Sequence, residues 1–143
     1  MIQRHQREHD TTVASFHSAV TQYFRKIAPN IPTAATQGEV ARLYFSRAGN
    51  QLPRNYRAIQ IPVSWKLIPL GTRRFIERTK SDGTEVCFWT INKPRRMRQL
   101  LALGADGIVT DRVDLAKTIF QEHHTALRLT RTRPSSVDQD SLE

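Results

Sequence analysis

A single cysteine, Cys87, stands in the whole chain, so no disulfide can form within it and stability must come from a packed core or a partner. Long apolar runs are missing too. Nowhere do ~18 consecutive apolar residues occur, the length that a membrane-spanning helix needs, so no span is expected. Residues Met1 to Asp10 are polar throughout and lack the apolar centre of a secretory signal. With the lone thiol, which suits a reducing compartment, this gives the expectation of a cytoplasmic protein. Acidic residues are scarce: 13 Asp and Glu face 22 Lys and Arg, a net charge of +9. Such an imbalance favours polyanions as partners, and a basic nucleic-acid-binding protein is one alternative reading. The distribution argues against it. Arg73, Arg74, Arg78 and Lys80 fall on one predicted helix, Arg95, Arg96 and Arg98 on another, and Arg128, Arg131 and Arg133 in the tail, with no recognised nucleic-acid motif beside them. Solvated outer helix faces explain them better.

What is present is organised around Glu85 to Leu115. Val86-Cys-Phe-Trp-Thr-Ile91 is a short run of β-branched, aromatic and apolar residues, which suits a strand covered on both faces in a parallel sheet. Pro94 fits the first turn of a helix, Met97, Leu100 and Leu101 share one face, and Gly104 is placed to close it in a left-handed conformation. Asp106-Gly107 turns the chain into Ile108-Val-Thr110, a second buried strand, and Asp111 can cap the next helix with Asp114 as a weak capping-box partner.

The rest alternates in the same way. Residues 1–10 form a polar lead-in in which His5, His9 and Asp10 would share a face only on a helix, a weak metal arrangement. Thr11 to Phe16 reads as a strand. A helix from His17 or Ser18 carries Val20, Tyr23, Phe24 and Ile27 on an inward stripe and stops at Pro29. Ile31 to Ala35 is a short strand, and Gln37 to Arg47 a helix with Val40, Leu43 and Tyr44 inward. Gly49-Asn50 and Pro53 to Asn55 mark a loop, and Tyr56 to Pro62 a third strand. A loop through Pro69 and Gly71 follows, with Val63, Trp65 and Leu67 packing over the strand ends. Thr72 caps a helix to Ser81 carrying Phe75 and Ile76, and Asp82-Gly83 leads into the organising strand. The last helix, with Leu115 and Ile119, is expected to end near His123 or His124, and Thr130 to Glu143, with almost nothing apolar, to be disordered. Three divisions follow: a lead-in over 1–10, one α/β domain over 11–124 and a basic, polar tail over 125–143.

Trp89-Thr-Ile-Asn92, followed after one helix by Leu103-Gly-Ala-Asp-Gly-Ile-Val-Thr-Asp111, resembles the C-terminal end of the glycerophosphodiester phosphodiesterases. Val13-Ala-Ser-Phe16 and Pro29-Asn-Ile-Pro-Thr33 resemble an earlier strand of that family and its sequel, so the likeness runs from about Thr11 to Ile119. It departs at Val113, where the family usually has Pro. The resemblance implies the C-terminal half of a TIM-type (β/α) barrel, with about five parallel strands alternating with helices, since a whole barrel takes ~250 residues and this chain has 143. It also implies a lipid-metabolic phosphoric diester hydrolase that turns a glycerophosphodiester and water into an alcohol and glycerol 3-phosphate, using a divalent cation, Ca or Mg, and an acid–base pair.

In such barrels the site lies at the C-terminal strand ends. Here these are Ser15 and Phe16, Gln60 and Pro62, Trp89 to Asn92, and Thr110 with Asp111. Trp89 offers an apolar face to a glycerol or acyl-chain alcohol and Asn92 a donor to a phosphate oxygen, with Ser15 and Asp111 as further substrate-binding candidates. Each also has a structural reading: Trp89 as a core layer, Asn92 as a turn, Asp111 as a helix cap, Ser15 as a small residue beside a strand. Cys87 reads as a small core residue and not a nucleophile. The family's reactive groups come from the first half of its barrel, a His-Arg-Gly motif, a Glu-x-Asp strand end and a later His-Asp. Neither of the first two occurs here. His9-Asp10 repeats the letters of the third, but it directly precedes the Ser-Phe strand and is not carried over. No catalytic residue or metal ligand is therefore assigned, and the chain alone is expected to be inactive. It fits a truncated gene product, a split enzyme whose missing N-terminal half comes from a partner, or a non-catalytic binding module. Unpaired strand edges would favour self-association.

Overall fold

The computed structural model describes residues 1–46, 55–81 and 83–131. After a 3-10 turn at Gln3–His5 come helices α1 (Ser18–Ile27) and α2 (Gln37–Phe45), strands β1 (Ala58–Ile61), β2 (Ser64–Trp65) and β3 (Ile68–Pro69), and helix α3 (Arg73–Lys80). Then follow β4 (Glu85–Phe88), α4 (Pro94–Ala102), β5 (Gly107–Ile108) and α5 (Val113–Arg131). β1, β4 and β5 form a parallel sheet in that order. Two single parallel bridges continue it beyond β1, Ala34 to Ala58 and Val13 to Thr33. Five neighbouring segments thus run the same way in chain order, each followed by a helix, which is part of a (β/α) barrel.

The sheet register explains the core. Ile59 stands beside Val86, Ile61 beside Phe88, and Phe88 beside Ile108. The strand residues Ile59, Ile61, Val86 and Phe88 are buried with Phe75 and Ile76 of α3 and Met97, Leu100 and Leu101 of α4. The intervening row, Gln60, Cys87 and Gly107, is only half-buried. The run Val86 to Ile91 is therefore covered on one face and partly open on the other, where both faces were expected to be closed. Apolar and small residues such as Cys87 satisfy either situation, so the run itself cannot tell them apart.

Helix ends follow local chemistry closely. Thr36 accepts from the Glu39 N–H and Glu39 reaches back to the Thr36 N–H, a complete capping box for α2. Thr72 caps α3 through the Phe75 N–H. Pro94 is the first residue of α4, and Gly104, at φ 98°, ends it with Gly104 and Ala105 N–H groups donating to Leu101 and Leu100.

Several expectations change. The strands placed at Thr11 to Phe16 and Ile31 to Ala35 shrink to bridges at Val13 and at Thr33 and Ala34. Pro32 has no N–H to give, so a longer ladder cannot form there. The loop through Pro69 holds a small antiparallel hairpin, β2 to β3. Asp111 does not cap α5, which begins at Val113: its carboxylate takes Asn92 Nδ2, and the Arg112 N–H just before the helix goes to Thr110 Oγ1. Helix α5 continues to Arg131, past His123 and His124 and through Thr130, because no Gly or Pro interrupts the sequence before Pro134. The loop marked by Gly49-Asn50 and Pro53, and the stretch 132–143, lie outside the described residues. The α1 stripe is the largest reversal: Val20, Tyr23 and Ile27 are exposed, and the helix instead packs through Thr21, Phe24 and Arg25.

Candidate active-site mouth

The C-terminal strand ends surround a cavity of about 420 Å³, within the size range of small-molecule pockets. Its walls are mostly apolar. Phe16, Tyr44, Trp65 and Trp89 supply aromatic surface, while Ser15, Gln60 and Thr90 add polar atoms, and no charged side chain lines it among the described residues. Backbone bonds running on past β4 hold this rim: Trp89 N–H donates to Ile61 O, Val109 N–H to Phe88 O, and Ile91 N–H to Val109 O. The Trp89 ring meets Phe16 edge to face at 5.8 Å and an interplanar angle of 89°, which joins the first segment to the fourth across the mouth. The Trp89–Thr90 peptide is cis.

The four sequence candidates separate into two pairs. Trp89 and Ser15 both line the cavity. The Ser15 hydroxyl also accepts from the His17 N–H at 3.1 Å, fixing the entry to α1. Asn92 and Asp111 lie outside the lining and bind each other. Asn92 Nδ2 donates to Asp111 Oδ2 at 2.8 Å, and Asn92 Oδ1 accepts from Thr110 Oγ1 at 2.9 Å and from the Asp111 N–H at 3.0 Å. This pair therefore clamps the ends of β4 and β5, leaving one Asn92 amide hydrogen outside these bonds. Asp114, read as a capping-box partner, instead takes the Arg112 guanidinium, whose hydrogen bond holds its carboxyl below the usual range.

Gln60 and Pro62, both read as strand-end residues, line the cavity; Trp65 does so from the hairpin. Leu67, expected to pack over the mouth, points away and is 98% exposed. Tyr44 was assigned only to an inward helix stripe. Its polar-tipped ring at a position facing the strand ends was the available signal, and only the tertiary arrangement showed which end it faces. Cys87 sits behind the mouth with Gly107 against its sulfur, and burial, together with the charges of Glu85 and Asp106, pushes its thiol pKa up. That is the wrong direction for a nucleophile.

A family model for the glycerophosphoryl diester phosphodiesterases matches residues 1–115, most of the chain. The chain belongs to this family. YhdW of Bacillus subtilis (strain 168), named as a glycerophosphodiester phosphodiesterase, is 32% identical over 102 residues, covering 71% of this chain and 40% of its own. A Mycobacterium tuberculosis protein named glycerophosphodiester phosphodiesterase 2 is 30% identical over 70 residues, 49% of this chain and 26% of its own. Among solved structures, family members from Silicibacter pomeroyi and Parabacteroides distasonis superpose with a TM-score of 0.61 each. The first is 21% identical over 86% of this chain and 42% of its own, the second 15% over 88% and 48%, likenesses that establish the fold. The chain therefore spans less than half the length of these relatives.

The match begins at residue 1, so it takes in the polar lead-in as well. Glu8-His9-Asp10 does spell Glu-x-Asp, which corrects the expectation that neither this pattern nor His-Arg-Gly occurs. It stands at no strand end: Asp10 pairs with Arg7, and the 3-10 turn ends at His5, so His5 and His9 share no helix face. No group of three or more His, Cys, Asp or Glu side chains comes together among the described residues. With an uncharged cavity wall as well, the cation that the family's chemistry implies finds no fitting donor set among the described residues.

Proposed function

We propose that this chain forms the C-terminal, substrate-contacting wall of a glycerophosphodiester phosphodiesterase, which hydrolyses a glycerophosphodiester to an alcohol and glycerol 3-phosphate in lipid metabolism. The observation that carries this reading is the apolar cavity at the C-terminal strand ends, closed by the Trp89–Phe16 contact. In it Trp89 packs against the carbon skeleton of the substrate and Ser15 lies within the same wall, while outside the lining the Asn92–Asp111 pair ties two strand ends together and offers its remaining amide hydrogen to a phosphate oxygen at the rim. The acid–base groups and the divalent cation's ligands belong to the other part of the barrel. A cytoplasmic location is part of the same proposal, resting on the unpaired, half-buried Cys87 thiol.

The test measures release of glycerol 3-phosphate from glycerophosphocholine. The chain alone is expected to release none, and mixing it with a polypeptide carrying the His-Arg-Gly and Glu-x-Asp strands of a relative is expected to restore turnover. Trp89→Ala should then lower kcat/KM by roughly tenfold to a hundredfold, the loss of a buried aromatic contact worth about 1.5–3 kcal/mol. Turnover by the isolated chain, or a Trp89→Ala protein as active as the parent, would refute this division of labour. Glycerol phosphate binding that never leads to turnover in the mixture would mark a non-catalytic binding module instead.

A further inference from the structure

Three placements at the strand-end face run against local preference. The hairpin between β2 and β3 turns on Lys66-Leu67, where two-residue hairpins favour Gly or Asn, and Lys66 takes a φ of 55°. Leu67 at the tip is 98% exposed. The helices that begin at this same face, α3 and α4, open with Arg73-Arg74 and Arg95-Arg96 and have no acidic residue in their first turns, although the helix dipole favours acid there. Arg96 reaches the hairpin's own base, beside Gly71, which brings the start of α4 up to the hairpin. The Lys66 ammonium stands 5.4 Å from the Trp65 ring centroid, and Trp65 in turn lines the cavity.

We infer that this face docks on a lipid bilayer bearing anionic headgroups, with Leu67 and the edge of Trp65 entering the interface and Lys66, Arg74 and Arg95 meeting the headgroup phosphates. A tryptophan, a cation and an aliphatic tip on one turn match the layered chemistry of that interface, apolar below and anionic above. A nucleic acid would use the cations but has no place for an exposed leucine, so the bilayer fits both features. Docking in this way puts the apolar cavity mouth against the surface from which a lipid-derived diester would arrive. The inference concerns adsorption and does not rest on the hydrolase reading.

The test is sedimentation of the full chain with vesicles of phosphatidylcholine and phosphatidylglycerol, followed also by tryptophan fluorescence. Binding to the mixed vesicles with a blue shift is expected, and weaker binding to pure phosphatidylcholine. Leu67→Glu should reduce the partition coefficient roughly tenfold or more. Arg74→Glu with Arg95→Glu should reduce it at least about tenfold on mixed vesicles, while changing binding to neutral ones little. Circular dichroism and melting confirm that each variant folds; should Leu67→Glu not fold, Leu67→Ser serves in its place. No sedimentation with any vesicle, binding that ignores Leu67→Glu, or binding to an oligonucleotide that Leu67→Glu leaves intact while vesicles are not bound, would each overturn the inference.

Discussion

Glu39 shows how one side chain can be bound into several elements at once. Its carboxylate closes the capping box of α2 and takes the Arg25 guanidinium of α1 at 2.8 Å, and Arg25 also donates to Thr33 Oγ1 and the Ala34 carbonyl. Burial pushes the Glu39 pKa up, but the bonds from Arg25 and Thr36 outweigh it and leave the value below its ordinary 4.5. The unfolded chain therefore binds the proton more readily than the folded one. The stabilisation is complete above about pH 4.5 and is lost as pH falls through the folded value. Glu39→Gln should lower stability at neutral pH by about 1–3 kcal/mol and flatten the acid side of the stability profile, read by urea melts from pH 3 to 7. Gly107 makes a second residue-scale case, since a Cβ there would lie 2.7 Å from Cys87 Sγ. Gly107→Ala should cost about 1–3 kcal/mol by the same melts, because the crowded atom lies inside a strand.

At the scale of elements, sequence signals that act within a few residues were the legible ones. Thr72, Pro94 and Gly104 were readable as helix ends because a cap is a bond between near neighbours. Gly104→Ala should destabilise by about 1–2 kcal/mol, since φ 98° strains any Cβ. Lys66→Gly should do the opposite, raising stability by roughly 0.5–1 kcal/mol in a thermal melt while weakening adsorption to anionic vesicles. The end of α5 was misplaced because polar composition was read as disorder, whereas a helix needs only the absence of a breaker and one packed stripe. The two early strands were overextended because β-branched and apolar letters say nothing about whether a neighbouring strand can donate back.

For the whole molecule, the exposed stripe of α1 is the feature that matters most. Val20, Tyr23 and Ile27 make an amphipathic pattern that names an apolar face without naming what lies opposite it. α1 stands at the margin of the five-segment array, where a closed barrel would have another helix, and the Val13 bridge and β5 are its outer members. Self-association of the chain is the expected consequence. Light scattering should find species larger than a monomer at micromolar concentration, and Val20→Lys with Ile27→Lys should shift them toward monomer; a sharply melting monomer of the parent chain would contradict this. In the candidate site, Trp89 and Ser15 could be picked out as strand-end residues, yet their meeting through Phe16 could not, because the contact joins segments more than seventy positions apart. Sequence alone settled the alternation of strand and helix and most helix ends, which depend on short-range bonding and periodicity, and the family, which rests on the resemblance of its motifs. Tertiary structure decided which face of each element is covered, that Asn92 and Asp111 bind one another, and that Leu67 projects outward, because burial depends on what stands opposite a residue and not on the residue itself.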